Sequence, residues 1–378
     1  MRSRVDSGSL EEVCQNPVRR WLNLSVDLSK VFRAGRVGSK TNAFEARVSQ
    51  QILLVTDSRT PVRKCSMPDR RERARMDFVF TVISADDESQ TLRVVLEPDP
   101  GRYEWRTLEG KRYLYDKLDD VYIPDEVYSQ LAGQMNGQPL FCQQPKIADV
   151  KAYFQSRKAA ITTRLDGHFS APRFEDKSEE FLESLSVYKL GFVIISIDIV
   201  GSTRLATSLS PEEYAKVTST IVSELSEVVP VFHGHVLTYT GDGLLAYFPE
   251  PSFISKNDLA IDCALTLHSL VYNVLNPILR ERGFPEIGVR IGIDAGDACI
   301  VSMGSSETKC HKDIIGLVVN LAVKIQARAK PGEILLGGTV ERNLHGKWRA
   351  LCEAIHPGND WEYRYVDGDL YTIYRLRH

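Results

Sequence analysis

The sequence of 378 residues lacks paired cysteines, long apolar runs and any marked excess of charge. Its seven cysteines are odd in number, scattered and never spaced as C-x-x-C, which argues against a disulfide framework or a zinc site and indicates reduced thiols. Lys and Arg number 47 against 50 Asp and Glu, so no overall charge draws the chain to nucleic acid or anionic lipid. We therefore expect a globular protein without a nucleic-acid partner.

The sequence also shows no segment with the pattern of a membrane span or of a secretion signal. The first residues do not contain the apolar core of a signal peptide. The longest apolar stretch lies near 192–200 and is interrupted by Ser196 and Asp198. The sequence therefore predicts a cytoplasmic protein with no membrane span.

A stretch rich in Gly, Pro, Ser and charge, DGHFSAPRFEDKSEE, separates two regions of apolar patterning. We predict a mixed α/β N-terminal domain over 1–165, a linker and lead-in helix over 166–186, and a C-terminal domain over 187–378. The position of the N-terminal domain, added in front of the other, favours a sensory role. Its expected elements are a strand at 51–55, a β-hairpin formed by 78–83 and 92–96, and a helix at 147–161.

The C-terminal region alternates between strand and helix patterns. Ser210, Pro211 and Glu213 have the spacing of a capping box and mark the start of a helix. The order β-α-β-β-α-β, with additions, predicts a ferredoxin-like α+β domain in which helices cover one sheet. The predicted strands lie at 192–197, 235–240, 244–248, 289–295, 300–303 and 334–336, and further helices are expected after 257 and over 318–329.

Two acidic residues stand where predicted strands end. Asp198 follows the buried strand, and Asp242 lies in the turn GDG between two strands. Neighbouring carboxylates at an apolar edge repel each other unless a cation separates them. Mg²⁺ and Mn²⁺ prefer such ligands together with substrate phosphates, which predicts a nucleoside triphosphate site. The structural alternative makes Asp198 a helix cap and Asp242 a turn residue.

A short segment after Asp198 is a weaker candidate for phosphate binding. Gly201, Ser202 and Thr203 lead into a predicted helix, where backbone N–H groups are free to face phosphate oxygens. A tripeptide of this kind is common, so it supports the site only together with the two carboxylates.

Four segments occur in the order found in the class III nucleotidyl cyclases: FVIISIDIVGST, TYTGDGLLAYF, VRIGIDAGDACIVSMG and DIIGLVVNLAVKIQARAKPGEILL. Residues from 187 onward therefore resemble the catalytic domain of the adenylate and guanylate cyclases, whereas the first half shows no such resemblance. The resemblance implies two Mn²⁺ or Mg²⁺ ions held by Asp198, Asp242 and the backbone carbonyl of Ile199. It also implies a homodimer in which both chains complete each active site.

The resemblance further assigns roles to two residues of the fourth segment. Asn320 is implied to orient the ribose, and Lys324 stands where the family has an arginine that stabilises charge on the α-phosphate. A lysine keeps the positive charge but lacks the planar fork of a guanidinium. The family's C-terminal lysine has no clear counterpart, and Arg364 is the candidate in its place.

One of the two positions that select the base in this family differs from the adenine pattern. Asp313 matches the family's aspartate, but Thr238 replaces the lysine, while Tyr239 is expected to point to the other side of its strand. Asp313 could accept a hydrogen bond from uracil N3 and Thr238 could donate to uracil O4. UTP is therefore the favoured substrate, and a cytidylate cyclase or an unusual adenylate cyclase remains the alternative.

Pyrimidine cyclases of the Pycsar antiphage systems are similar in these features, and they act with a separate effector protein that senses cyclic UMP or cyclic CMP. This resemblance implies a second-messenger synthase with such an effector as its downstream partner. An alternative of another class is an inactive cyclase-like domain that only binds nucleotide and dimerises. The presence of Lys324 favours this alternative, whereas the presence of both aspartates argues against it. A diguanylate cyclase is disfavoured because no GGDEF-like segment occurs.

Overall fold

The computed structural model of the protein describes residues 22–26, 74–86, 91–135, 145–147, 149–167, 177–185, 188–249, 256–305 and 309–378. The chain divides into two compact units, Met1–Leu24 with Met76–Leu140 and Ser25–Arg75 with Phe141–His378. The strand predicted at 51–55 lies outside the described residues. Within them, no helix combines the length and the apolar character needed to span a membrane.

Most of the described residues before 136 form β-structure. One sheet has the order β1-β2-β3 and a second the order β4-β5-β6. Antiparallel pairing of β2 with β3 confirms the predicted hairpin. The elements are β1 (Leu22–Val26), β2 (Ala74–Asp86), β3 (Thr91–Pro98), β4 (Tyr103–Leu108), β5 (Lys111–Asp116), β6 (Val121–Pro124) and helix α1 (Asp125–Met135).

The second unit contains one large sheet with covering helices. The sheet has the strand order β13-β14-β12-β10-β7-β9-β8, and β11 pairs with β10. This is the predicted α+β arrangement. In chain order the elements are α2 (Val150–Asp166), α3 (Lys177–Ser184), β7 (Lys189–Val200), α4 (Ser202–Ser208), α5 (Pro211–Val228), β8 (His235–Tyr239), β9 (Leu244–Phe248), α6 (Lys256–Leu270), α7 (Asn276–Glu281), β10 (Gly288–Ser305), β11 (Lys309–Ile315), α8 (Leu317–Gln326), β12 (Ile334–Gly337), α9 (Gly338–Arg342), α10 (Gly346–Arg349), β13 (Cys352–Ile355) and β14 (Ile373–Leu376).

The central strand β7 is apolar on both of its faces. Val193, Ile195 and Ile197 belong to the core that also contains residues of α5 and α6. Phe192 and Ile194 face the other way, into a cluster with residues of α3 and α8. A strand covered on both faces needs a continuous apolar run rather than an alternating one, which explains the sequence of β7.

The start of α5 follows the predicted capping box. The Ser210 hydroxyl accepts a hydrogen bond from the Glu213 backbone N–H at 3.2 Å, and the Glu213 carboxylate accepts one from the Ser210 N–H at 3.1 Å. Pro211 occupies the first turn, where its missing N–H has no cost. The helix then runs to Val228, and the apolar residues of its buried stripe belong to the same core as residues of β7.

Helix α2 was predicted within the N-terminal domain and is grouped with the second unit. Its Arg157 donates two hydrogen bonds to Glu224 of α5, at 2.7 and 2.8 Å, and Arg164 donates a third at 2.8 Å. Glu224 is fully buried, so these donors satisfy a carboxylate that would otherwise be costly to bury. The functional division at 165 stays a prediction.

The extent of one predicted strand pair was wrong. The segments 289–295 and 300–303 are one continuous strand, β10, because β7 pairs with it through Gly296 and Asp297 as well. Strand β11 was not predicted, since KCHKDII has little apolar character, and it forms by pairing with the far half of β10. The described cysteines, Cys263, Cys299, Cys310 and Cys352, are free thiols.

Candidate active site

The two predicted metal-binding aspartates lie at the same end of the central sheet. Asp198 stands near the end of β7, and Asp242 lies in the turn that joins β8 to β9. The first residue of β9, Leu244, pairs with Ile197, the residue before Asp198. Because β7 and β9 are hydrogen-bonded neighbours, this register brings both residues to one corner of the sheet.

Gly243 determines how closely the turn approaches β7. A Cβ atom at this position would lie 2.2 Å from the carbonyl oxygen of Ile197 and 2.9 Å from Oγ1 of Thr240. Gly241 has a φ of 86°, a conformation that side chains rarely adopt. Both glycines of the GDG turn are therefore required to hold Asp242 beside the end of β7.

Arg290 forms an ion pair with Asp198 and was not predicted from the sequence. The two residues are opposite each other in the β7–β10 register. The Arg290 Nε donates to Asp198 Oδ2 at 3.0 Å, and Nη2 contacts the same oxygen. The side chains are 35% and 28% exposed, so solvent and ligands can reach the pair. Arg290 lies in the motif VRIGID, but the motif alone does not show that this residue faces Asp198. That becomes clear only from the pairing register of β7 and β10.

The donor atoms at this corner fit a magnesium or manganese ion. Asp198, Asp242 and the Ile199 carbonyl offer oxygen atoms only, the type that these hard cations prefer. Within the described ranges no group of three or more His, Cys, Asp or Glu side chains could hold a metal. An ion here would therefore depend on two carboxylates, a backbone oxygen and substrate phosphates. Arg290, which pairs with Asp198 here, would compete with such an ion for this carboxylate.

The predicted phosphate segment enters a helix directly after β7. Gly201 has a φ of 102° and caps α4, whose first turn contains Ser202 and Thr203. A Cβ atom on Gly201 would lie 3.3 Å from Nη2 of Arg204. Arg204 therefore adds a positive charge next to this turn, a second basic residue that the sequence analysis did not include.

Asn320 and Lys324 occupy one exposed ridge of α8, one helical turn apart. In the described part of this single chain, neither forms a hydrogen bond or ion pair with Asp198 or Asp242. Helix α8 lies very close to β10, because a Cβ atom on Gly292 would be 2.2 Å from the backbone nitrogen of Gln326. The ridge is therefore held firmly on the sheet with both side chains facing outward.

The predicted base-selecting residues lie on two different strands. Thr238 is exposed in β8, just after a register irregularity between Val236 and Thr238. The hydroxyl of Tyr239 accepts a hydrogen bond from Ser226 of α5 at 3.1 Å, so this ring faces the helix. Asp313 lies in β11 and accepts a hydrogen bond from the Ile314 N–H at 2.7 Å. The described contacts do not join Thr238 to Asp313.

Arg364, the candidate for the missing C-terminal lysine, has a local structural contact. Its Nη1 donates to the carbonyl oxygen of Gly368 at 2.9 Å. The residue also forms an isolated bridge with Leu370. These contacts close a turn near the C-terminus and do not place Arg364 beside the aspartates.

Comparison with known proteins identifies the segment that contains these residues. Residues 191–357 match the family described as the adenylate and guanylate cyclase catalytic domain. This match agrees with the resemblance that the four motifs predicted. The match includes Asp198, Asp242, Arg290 and Asn320 and leaves the first half of the chain without an assignment.

Similar curated proteins carry cyclase names with different bases. A cytidylate cyclase of Escherichia coli is 29% identical over 163 residues, which are 41% of this chain and 35% of the relative. A cytidylate cyclase of Staphylococcus aureus is 28% identical over 177 residues, 45% of this chain and 42% of the relative. Adenylate cyclase 1 of Rhizobium meliloti is 29% identical over 134 residues, which are 35% of this chain and 20% of the relative. The match thus spans less than half the length of each relative.

Solved structures with a related arrangement include the adenylyl cyclase CyaB from P. aeruginosa, with a TM-score of 0.43 and 20% identity over 50% of this chain and 95% of that chain. The guanylyl cyclase Cya2 has a TM-score of 0.44 and 22% identity over 50% of this chain and 92% of that chain.

Proposed function

We propose that the protein is a nucleotidyl cyclase that converts a pyrimidine nucleoside triphosphate to a 3′,5′-cyclic nucleotide and pyrophosphate. The observation that carries this proposal is the placement of Asp198 and Asp242 at one corner of the sheet, where Gly243 allows the turn to approach Ile197 closely. When bound there, two divalent ions would activate the ribose 3′-oxygen and neutralise charge on the triphosphate as pyrophosphate leaves. The match of residues 191–357 to the cyclase catalytic domain supports the proposal.

The other residues of the site would bind and orient the substrate. Arg290 is the basic group closest in register to Asp198, so an incoming triphosphate offers its guanidinium a second anion. The first turn of α4, at Ser202 and Thr203, would receive phosphate oxygens. Asn320 would hold the ribose, and Lys324 would offset charge on the α-phosphate as a point charge rather than a fork.

The two pyrimidines are supported by different observations. The donor and acceptor chemistry of Thr238 and Asp313 favours uracil, as argued from the sequence. The names of two relatives, both cytidylate cyclases, favour CTP. We therefore propose a pyrimidine cyclase, with UTP as the prediction from the residues and CTP as the second candidate.

A homodimer would complete the proposed site. Asn320 and Lys324 face outward on α8, away from contacts with the aspartates of their own chain. Exposed apolar side chains lie on the adjoining strands and on the same helix, and such patches favour protein contacts. These side chains are Met303, Ile315 and Val323, which are 41%, 49% and 38% exposed.

The direct test is incubation of the purified full chain with ATP, GTP, CTP or UTP and Mn²⁺, followed by mass spectrometry of the products. We expect cyclic UMP or cyclic CMP in large excess over the purine products, and none from an Asp242→Asn control. A product formed only from ATP would refute pyrimidine specificity. The absence of any cyclic product would refute the enzyme and support the inactive cyclase-like alternative.

A role in antiphage signalling, with a separate effector that senses the cyclic nucleotide, belongs to the same proposal. It depends on the resemblance to the Pycsar cyclases. Phages should form fewer plaques on bacteria that express the chain together with its genomic neighbours than on bacteria that carry the Asp242→Asn variant. Equal plaque numbers in the two strains would contradict this role.

A further inference from the structure

A cavity of about 260 Å³ lies in the second unit and includes none of the residues assigned to the active site. Its walls come from the segment before α2, from α2 itself, from the 3₁₀ turn Val229–Phe232 after α5, and from α6. One wall is apolar and is formed by Ile147, Val150, Phe154 and Phe232. Helix α6 contributes three polar side chains, those of Asp262, Thr266 and Ser269, together with Leu265.

The apolar wall is fixed by the surrounding structure. The backbone N–H of Lys146 donates to the carbonyl of Val231 at 2.8 Å, which ties the segment before α2 to the 3₁₀ turn. The Asp149 carboxylate caps α2 through the N–H groups of Lys151 and Ala152 at 2.8 and 3.2 Å. The cavity is therefore formed before any ligand arrives. Val150, 53% exposed, lies at its rim.

The polar wall is a single ridge of α6. Asp262, Thr266 and Ser269 are spaced by four and three residues, so they share one helix face. The Thr266 hydroxyl donates to the backbone carbonyl of Asp262 at 2.7 Å, which leaves its oxygen able to accept. No described residue donates a hydrogen bond to the Asp262 carboxylate. The ridge therefore presents three acceptors to the cavity.

Asp262 is in an electrostatically unfavourable position without a ligand. Burial raises the pKa of its carboxyl to about 7. Asp258 raises the pKa further and Lys347 lowers it, but these effects do not cancel the loss of hydration. A cation placed in the cavity would remove this cost, because it would supply the counter-charge that the protein provides only in part.

We propose that this cavity binds a small amphipathic amine, with its ammonium group on the Asp262 carboxylate and its apolar body against Phe154 and Phe232. The volume lies just below the range of about 300 to 1,000 Å³ that suits drug-sized ligands, so the ligand is a compact one. Thr266 and Ser269 accept the remaining ammonium protons. The site is independent of the proposed cyclase function.

The test measures binding of phenethylamine to the full chain by titration calorimetry, beside 2-phenylethanol, which has a similar shape and no charge. We expect the amine to bind about tenfold or more tightly than the alcohol, as a charge-assisted hydrogen bond implies. The Asp262→Asn variant should lose this preference and keep its weak affinity for the alcohol. The affinity for the amine should also rise from pH 6 to pH 8, as the carboxyl loses its proton.

Asp297→Asn is the matched control, because Asp297 lies in β10, outside the cavity, in an exposed pair with Lys189. This variant should bind the amine as the unchanged protein does. Equal affinity of the unchanged protein for amine and alcohol, or an affinity for the amine that Asp262→Asn does not change, would overturn the proposal. Should Asp262→Asn fail to fold, the pH dependence of the unchanged protein decides, and a flat profile counts against the proposal.

Discussion

Arg290 and Asp198 form a partly exposed ion pair at the corner where we propose that the metal ions and the nucleotide bind. The guanidinium neutralises the carboxylate in the chain alone, and both side chains remain partly exposed. A metal ion and a triphosphate arriving together would give each partner a new counter-charge. We therefore expect the pair to contribute little to stability and, in the proposed site, to assist substrate binding.

The variant Arg290→Gln tests this interpretation. We expect a rise of about tenfold in KM for the nucleotide, since one charge-assisted hydrogen bond is lost, and a change in Tm of only a few degrees. The control is Arg328→Gln, which removes another partly exposed arginine, paired with Asp360. An unchanged KM in Arg290→Gln, measured beside this control, would contradict the role.

Asp294 provides a test through pH. It is buried, accepts a hydrogen bond from the Tyr371 hydroxyl at 2.6 Å, and its Oδ2 has no partner among the described residues. Burial raises its pKa to about 7. The folded state therefore holds this proton more tightly than the unfolded state, whose aspartate titrates near pH 4. The contribution of the protonated Asp294 carboxyl to the free energy of unfolding is therefore complete below about pH 4. It is lost as the pH rises through 7.

The variant Asp294→Asn cannot ionise and should not show this loss. We expect its free energy of unfolding, relative to that of the unchanged protein, to increase by on the order of 2 to 4 kcal/mol between pH 4 and pH 8. Urea unfolding at the two pH values measures the difference, and other titrating groups cancel in the comparison. A difference that does not vary with pH would show that folding does not raise the pKa of Asp294.

At the scale of elements, the sequence predicted those features that short-range chemistry determines. The capping box at Ser210 and the GDG turn are local patterns, and the run of β7 reflects burial on both faces. The continuous strand β10 and the added strand β11 depend on pairing between distant segments, which no local pattern encodes. Arg290 was missed for the same reason, because its partner is 92 positions away.

The contact between α8 and β10 offers a test at this scale. Gly292→Ala would place a methyl group 2.2 Å from the backbone nitrogen of Gln326, so the helix carrying Asn320 and Lys324 must move. We expect a loss of about 1–3 kcal/mol in stability and at least a tenfold loss of cyclase activity.

The matched control is Gly296→Ala in the same strand. Its added methyl group would lie 3.4 Å from the Cβ of Val318, an ordinary contact distance. This variant should remain close to the unchanged protein in thermal unfolding and activity. Similar losses in the two variants would mean that the close approach at Gly292 is not what positions α8.

At the scale of the whole molecule, the proposed active site shared between two chains would explain why the described chain does not bring all predicted residues together. The sequence indicated this only through the family resemblance, since no pattern in one chain reports a symmetry partner. The role of residues 1–165 likewise stays a prediction, because neither motifs nor the family match extend into them.

Mixing two inactive variants tests the shared site. Asp198→Ala and Asn320→Ala should each be inactive alone, but a mixed dimer has one intact site. Random exchange makes half of the dimers mixed, so about a quarter of the full activity should return. A mixture of Asp198→Ala with Asp242→Ala should stay inactive, because every site then lacks one aspartate. No recovery in the first mixture, despite mixed dimers in native mass spectrometry, would contradict the shared site.

The most direct test measures Mn²⁺ binding by electron paramagnetic resonance. The measurement is made in the presence of a 3′-deoxynucleoside triphosphate, which cannot cyclise. The nucleotide alone and the Asp297→Asn variant are the controls. We predict that the unchanged protein binds two Mn²⁺ ions per nucleotide site, and that the double variant Asp198→Asn, Asp242→Asn weakens this binding by more than about tenfold while keeping its fold. Undiminished Mn²⁺ binding in the folded double variant would contradict the assignment of these carboxylates.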